Sequence, residues 1–313
     1  MTIQVEILQF LHYNPSSSRV EISAGLTEAP NERTLKRIIA ELVQNGDVIV
    51  EGKGKATRYS LSAQAHLMMP LNIDTYFIKD IDERKVQESF NFQLIQDVLP
   101  RVTLFTPEEK IRLESAHKEF LANMETLSDL EYRKEMERLG VDLSWKSSQI
   151  EGNTYSLLET ERLLKEKQTA QGKTKEEAVM LLNHKDALDF ILDNPDYLKE
   201  LSVRRLEDIH SILTKELGVG NGIRKRRVGI TGTNYRPLDN EFQIREALED
   251  TCQLINGKEN VFEKALLILV LLSYIQAFTD GNKRTARISS NAVLIAWGYC
   301  PISFRTVDSV DYK

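Results

Sequence analysis

The residues best equipped for chemistry form one run near the C-terminal end: Gln276-Ala277-Phe278-Thr279-Asp280-Gly281-Asn282-Lys283-Arg284-Thr285-Ala286-Arg287. A glycine at 281 lets the backbone approach a ligand closely. Asn282 and its neighbours open a helix, where free N–H groups and the helix dipole favour an anion. Arg284 and Arg287 are three positions apart, so both guanidiniums can face the same phosphates. Asp280, just ahead of the turn, can hold a Mg²⁺ ion that bridges them. Lys283 adds a further cation. The chemistry these residues imply is binding of a polyphosphate, held by Gly281, Asn282, Lys283, Arg284 and Arg287 with the metal on Asp280.

Such a turn needs rigid flanks, and the sequence supplies them. Ahead of it lies the apolar run Ala265 to Ile275, within a helix expected over Glu259 to Phe278. It is far short of the ~20 residues a bilayer demands, so it reads as a buried core helix and no membrane span is expected. Behind the turn a helix is expected from Asn282 to Trp297, with Gly298 as its stop. Further helical periodicity covers Leu94 to Leu99, Pro107 to Met124, Asp129 to Leu139, Ser156 to Lys167, Lys175 to Leu192, Val203 to Leu217 and Ile244 to Asn256. The net charge of -6 leaves any polyanion contact to a local patch. The two cysteines, Cys252 and Cys300, fit neither a disulfide framework nor a zinc site, and with no visible signal peptide a cytoplasmic setting is expected.

Residues 1–63 form a pattern of their own. Ile3, Ile7, Leu8 and Leu11 mark a helix, Val20 to Leu26 a short second one, and Asn31 caps a third that Gly46 ends. Two β-prone runs follow, Val48 to Val50 and Arg58 to Leu61, joined by a Gly/Lys turn. Three helices and a small hairpin resemble a winged helix-turn-helix. Arg33, Lys36 and Arg37 share a face of the third helix, yet the module holds seven Lys/Arg against seven Asp/Glu. A neutral module has weak non-specific affinity for DNA, because phosphate neutralisation supplies most of it. Duplex DNA and a protein are both open as its partner. Residues 64–106 read as a linker and lead-in, and 107–313 as the main helical domain.

Two further segments complete the picture. Ser147-Ser148-Gln149-Ile150-Glu151-Gly152-Asn153 sets a carboxylate four positions after a serine. Val228 to Pro237, containing Gly229, Ile230, Thr231 and Gly232, is the one β-prone stretch between helices, and reads as an exposed hairpin behind the basic run Arg224 to Arg227. Together with the first run, in this chain order, they resemble the Fic family. Residues 276–287 are similar to its signature, with Phe, Asp, Gly, Asn and both Arg in register. Residues 147–153 resemble its inhibitory helix, and 228–237 its target-docking flap. The resemblance extends over roughly residues 75–304.

The resemblance implies a mainly α fold: a helical-bundle core with a small β-hairpin flap, preceded by the α+β winged helix. It implies ATP and Mg²⁺ as cofactors and transfer of AMP to a hydroxyl of a protein target or of the chain itself. Glu151, with Ser147 and Gly152 beside it, would pair with Arg287 and so exclude the γ-phosphate from that guanidinium. Gly229 to Gly232 would register an extended target segment by strand addition. Two departures bear on activity. Gln276 stands where the family carries its general-base histidine. A carboxamide has no useful basicity near pH 7, and loss of a positioned base costs ~10²–10⁴ in rate. Lys283 replaces a common glycine and is shared with the family's kinase-like branch. Rival readings are therefore a non-catalytic nucleotide sensor or DNA-binding regulator, and phosphoryl transfer on the same scaffold. A second copy of the chain is a further partner to test.

Overall fold

A computed structural model describes residues 2–70, 73–84, 87–230 and 232–312. Two compact units emerge. The first comprises Met1–Asp80 with Arg101–Leu104, and the second Ile81–Pro100 with Phe105–Lys313.

The first unit follows the expected element order. Helices α1 (Ile3–Tyr13), α2 (Arg19–Gly25) and α3 (Glu32–Gln44) precede strands β1 (Val48–Glu51) and β2 (Arg58–Leu61). Each helix starts on a side-chain cap: Thr2, then Ser18 in a capping box with Glu21, then Asn31. Ile7, Leu11, Ile22, Leu35, Ile38, Ile39, Leu42 and Val48 form the core. The strands pair antiparallel from Val48↔Leu61 to Glu51↔Arg58, and Ser17 extends the ladder by exchanging backbone bonds with Tyr59. The cationic face of α3 is partly neutralised, since Arg37 pairs with Glu41 at 2.5 Å.

The segment 64–106, read as a linker and lead-in, is not without regular structure. Helices α4 (Ala63–Met68) and α5 (Ile73–Ile78) occupy its first part, and the boundary between units falls near residue 80. Ser62 caps α4, and the Gln64 carboxamide bonds the Thr103 backbone in both directions at 2.8 Å. That pairing ties residues 101–104 to the first unit.

The second unit is helical: α6 (Pro107–Glu125), α7 (Asp129–Ile150), α8 (Leu157–Glu166), α9 (Lys175–Asp193), α10 (Val203–Thr214), α11 (Glu241–Gly257), α12 (Val261–Ile275), α13 (Asn282–Ala296) and α14 (Ser309–Tyr312). The apolar helix α12 packs along α13, with Ile268, Leu272, Ile275, Phe278 and Ala286 almost fully buried. Three differences from the sequence reading matter. Helix α7 does not stop at Leu139 but runs on to Ile150, carrying Ser147 in its last turn. Gly140, just past the expected end, faces α9; a Cβ there would sit 3.3 Å from the Leu188 side chain. Helix α12 ends at Ile275 rather than Phe278, and Gln276 turns left-handed at φ 52. Finally, the expected hairpin at 228–237 is a loop. Its described residues form no strand pair with one another, and Arg236 instead makes a parallel bridge to Ser89. The Arg236 N–H bonds the Glu88 carbonyl at 2.7 Å. Thr231 lies outside the described residues.

Among the described residues no helix is long and apolar enough to cross a membrane. Cys252 is buried and Cys300 exposed, and both are free thiols.

Candidate functional site

The turn between α12 and α13 is built from its backbone outward. Arg224, only 3% exposed, donates from Nε to the Gln276 carbonyl at 2.6 Å and from Nη1 to the Arg226 carbonyl at 2.8 Å. Its Nη2 bonds the Leu238 carbonyl, and its backbone N–H bonds the Ala277 carbonyl at 3.0 Å. Burial lowers the pKa of this guanidinium, opposed by nearby Asp239. Asn282 closes the next loop: its Oδ1 accepts from Phe278 N–H and its Nδ2 donates to Phe278 O, both at 2.8 Å. The Asn282 carboxamide is therefore spent on the turn, and what it offers a ligand is its place at the helix start. Gly281 sits at φ 81, and a Cβ there would approach Thr214 Cγ2 to 3.1 Å. Helix α13 starts without a side-chain cap, so no cap side chain occupies its first N–H groups.

Two arginines project from the first turns of α13 into the interior. Arg284, 2% exposed, bonds Asp280 Oδ2 at 2.9 Å, while the Asp280 side chain is mostly in solvent. Burial lowers the Arg284 pKa, and Asp280 and Glu151 counter it. Arg287 is 1% exposed. It donates from Nε to Ser147 Oγ at 2.9 Å, and from Nη2 to Ser147 O at 3.0 Å and Glu151 Oε1 at 2.6 Å. The Tyr312 ring lies 5.4 Å from its guanidinium carbon. In both arginines Nη1 is buried without a partner. Buried cationic N–H groups left unpaired are costly, and an anion would satisfy them. Lys283, half-buried, immediately precedes Arg284 in the first turn of the helix.

The structure thus brings Ser147, Glu151, Asp280, Gly281, Asn282, Lys283, Arg284 and Arg287 to one place. Gly152 contributes by turning the chain out of α7 at φ 99, its N–H bonding Gln149 O at 2.9 Å. Gln276 is at the expected place, but its Nε2 donates to Ser273 O at 2.7 Å, capping its own helix. Gly229, Ile230 and Gly232 lie on the loop, which joins the turn through Arg224 and through Tyr235, whose hydroxyl bonds Tyr274 O at 3.0 Å.

Two histidines outside the motif support it. His210 donates Nε2–H to the Asp280 carbonyl at 2.9 Å, the only role open to it opposite a carbonyl, and stacks on Phe278 at 3.8 Å. Burial lowers its pKa, partly offset by that bond. His184 is buried with both ring nitrogens unpartnered; desolvation, then Arg287 and Arg284, push its pKa down to about 3. Both rings are neutral at pH 7. Their signal in the sequence was a histidine on an apolar helical face, as with His210 among Leu206, Ile209 and Leu213, whereas Arg224 looked like one member of a solvated basic run.

Residues 200–294 match the family described as Fic/DOC family. The chain is similar to a protein adenylyltransferase Fic from Nematostella vectensis, 30% identical over 176 residues, covering 54% of this chain and 40% of that protein. It is 28% identical over 171 residues to a protein adenylyltransferase fic-1 from Caenorhabditis elegans, covering 52% of this chain and 33% of the relative. The chain thus spans less than half the length of the curated relatives it matches. A Fic domain-containing signaling protein from Bacteroides thetaiotaomicron shares the fold with a TM-score of 0.55 at 20% identity, over 64% of this chain and 78% of that one.

Proposed function

We propose, for a chain that carries a Fic/DOC family domain at residues 200–294, that it is a nucleotidyltransferase-type protein that binds ATP with Mg²⁺ and is restrained by Glu151. The observation that carries this reading is the state of Arg287. It is buried, engaged by Ser147 and Glu151, and left with an unpaired Nη1, as is Arg284 one turn earlier on the same helix. A triphosphate offers such guanidiniums the oxygens they lack, and Glu151 competes for one of them.

Asp280 fits the metal. It is one exposed carboxylate, which suits Mg²⁺, an ion that takes most of its ligands from phosphate and water. No cluster of three or more His, Cys, Asp or Glu able to hold a metal occurs among the described residues, so a dedicated protein cage is not part of this reading. When bound, the ion neutralises phosphate charge.

In AMP transfer a target hydroxyl oxygen bonds the α-phosphorus, pyrophosphate leaves, and the hydroxyl proton must be accepted. The first N–H groups of α13 and the two arginines orient the phosphates and oppose their charge. Gln276 cannot accept the proton, which passes to water instead, so the rate is set by positioning and electrostatics alone. A second reading rests on the Gln276 side chain, a carboxamide without useful basicity that bonds Ser273 O of its own helix. The domain would then sense nucleotide without chemistry, and residues 1–63 would carry the output through DNA or protein.

Covalent incorporation from α-labelled ATP with Mg²⁺ separates these. Wild type, Glu151→Gly, Gln276→His and the double variant are compared. Label with Glu151→Gly alone supports a restrained transferase. Label only with Gln276→His supports the sensor. Label from γ- but not α-labelled ATP would replace both with phosphoryl transfer, and silence in four folded proteins would refute the transferase reading.

A further inference from the structure

The loop read as a target-docking flap is not bare. A segment of the same chain lies along it. The Arg236 N–H donates to Glu88 O at 2.7 Å, Ser89 and Arg236 form the parallel bridge, and Arg236 Nη2 pairs with Glu88 Oε2 at 3.2 Å. One residue further, Phe90 stacks on Tyr274 with centroids 4.8 Å apart, and the Asn91 N–H donates to the Tyr274 hydroxyl at 2.9 Å. Tyr274 also stacks on Tyr235 of the loop at 4.9 Å. Upstream, Arg84 Nη1 donates to Gly232 O at 3.3 Å and Asn234 Nδ2 to Asp82 Oδ1 at 3.2 Å.

These contacts have the form of peptide recognition by strand addition: backbone bonds for register and alternate side chains for choice. Glu88 meets a cation and Phe90 meets a ring, while Ser89 between them points elsewhere, as period-two geometry requires. The ring contact falls on Tyr274, two residues before Gln276. We infer that residues 87–91 occupy in cis the edge on which a target's extended segment pairs. The preferred partner is then an extended peptide with a carboxylate two positions before an aromatic residue, the pattern of Glu88-Ser89-Phe90. This rests on reading residues 224–237 as the docking flap of the proposed transferase.

The hold is shallow. The side chains of Glu88 and Arg236 are 56% and 80% exposed, so their pairing is weakened by water and salt. What keeps the segment in place is its tether, which presents it at an effective concentration on the order of mM. A target carrying the same pattern must outcompete it, which makes the segment a threshold as well as a template.

The test measures binding of a fluorescent peptide with the sequence of residues 87–93 to the full chain, by polarisation and without nucleotide. Replacing Glu88 and Phe90 by alanine in the protein should tighten peptide binding by about tenfold or more, since the tethered competitor is lost. On that variant, peptides with Glu→Lys or Phe→Ala should bind about tenfold or more weaker. Adding Arg236→Glu to the protein should invert the choice between Glu and Lys peptides. Should the double variant misfold, the exposed single change Glu88→Lys gives the same readout in a folded protein. Equal binding to wild type and to the variants, or indifference to the Glu and Phe of the peptide, overturns the inference. Because no nucleotide is present, those results leave the ATP-site reading to be judged by label incorporation alone.

Discussion

Replacing Glu151 by alanine should weaken the protein and strengthen its hold on a triphosphate at the same time. Arg287 is 1% exposed and would keep its bonds to Ser147 while losing the 2.6 Å contact to Glu151. Breaking a buried ion pair by removing one partner costs about 3–5 kcal/mol. Here Glu151 is 24% exposed and Ser147 still holds the guanidinium, so a loss of about 2–3 kcal/mol is expected. For a domain of this size that lowers Tm by roughly 5–10 °C. The same released group can then accept a phosphate. A charge-assisted bond contributes about 1.5–3 kcal/mol, or roughly 10- to 100-fold in affinity. Calorimetric titration with a non-hydrolysable ATP analogue and Mg²⁺ should show that gain, while ADP, lacking the third phosphate, should gain less than about threefold. Glu151→Gln, which keeps an acceptor without charge, should fall between. The reasoning is refuted if ADP and the ATP analogue gain equally, or if affinity rises with no loss of Tm.

Other consequences are equally open to measurement. His184 has a folded pKa near 3 against 6.5 when exposed, so the unfolded chain binds the extra proton; stability is full above pH 6.5 and declines as pH falls towards 3. At pH 5 the loss from this ring is about 2 kcal/mol, and in His184→Gln the difference between urea midpoints at pH 8 and pH 5 should shrink accordingly. Gly281→Ala forces an L side chain to φ 81 and a Cβ against Thr214, costing about 1–2 kcal/mol for the backbone alone; adding Thr214→Ser should return only the steric part, read as Tm. Arg224→Lys cannot reach three carbonyls as a planar fork does, so a loss of about 2–4 kcal/mol and faster proteolysis within residues 228–236 are expected.

The parts of this molecule that follow local rules were legible from residue types. Gly281 and Asn282 mark the helix start seen at the turn, Ala265 to Ile275 a buried helix, and Asn31 the third helix of the first unit. What escaped depends on distant partners. The expected end of α7 at Leu139 falls beside Gly140, whose place in the helix is set by Leu188 packed across from it. Residues 228–237 read as a hairpin because their β propensity is genuine, but the available strand partner lies at Ser89. Arg224 gives no hint in its basic surroundings that its fork is filled by carbonyls of three separate residues. Nor does Gln64 foretell Thr103, the pairing that moves the boundary between units.

Gln276 is fixed by its backbone. Its N–H bonds Leu272, its carbonyl bonds Arg224, and its left-handed dihedrals stop α12, while its side chain contributes a single bond to its own helix. Position and chemistry are therefore carried by different atoms, and the identity of the side chain is nearly free to drift. Glutamine and histidine codons differ only in their third base. A lineage with this turn can shed or regain a proton acceptor by a single nucleotide change, without rebuilding the turn itself.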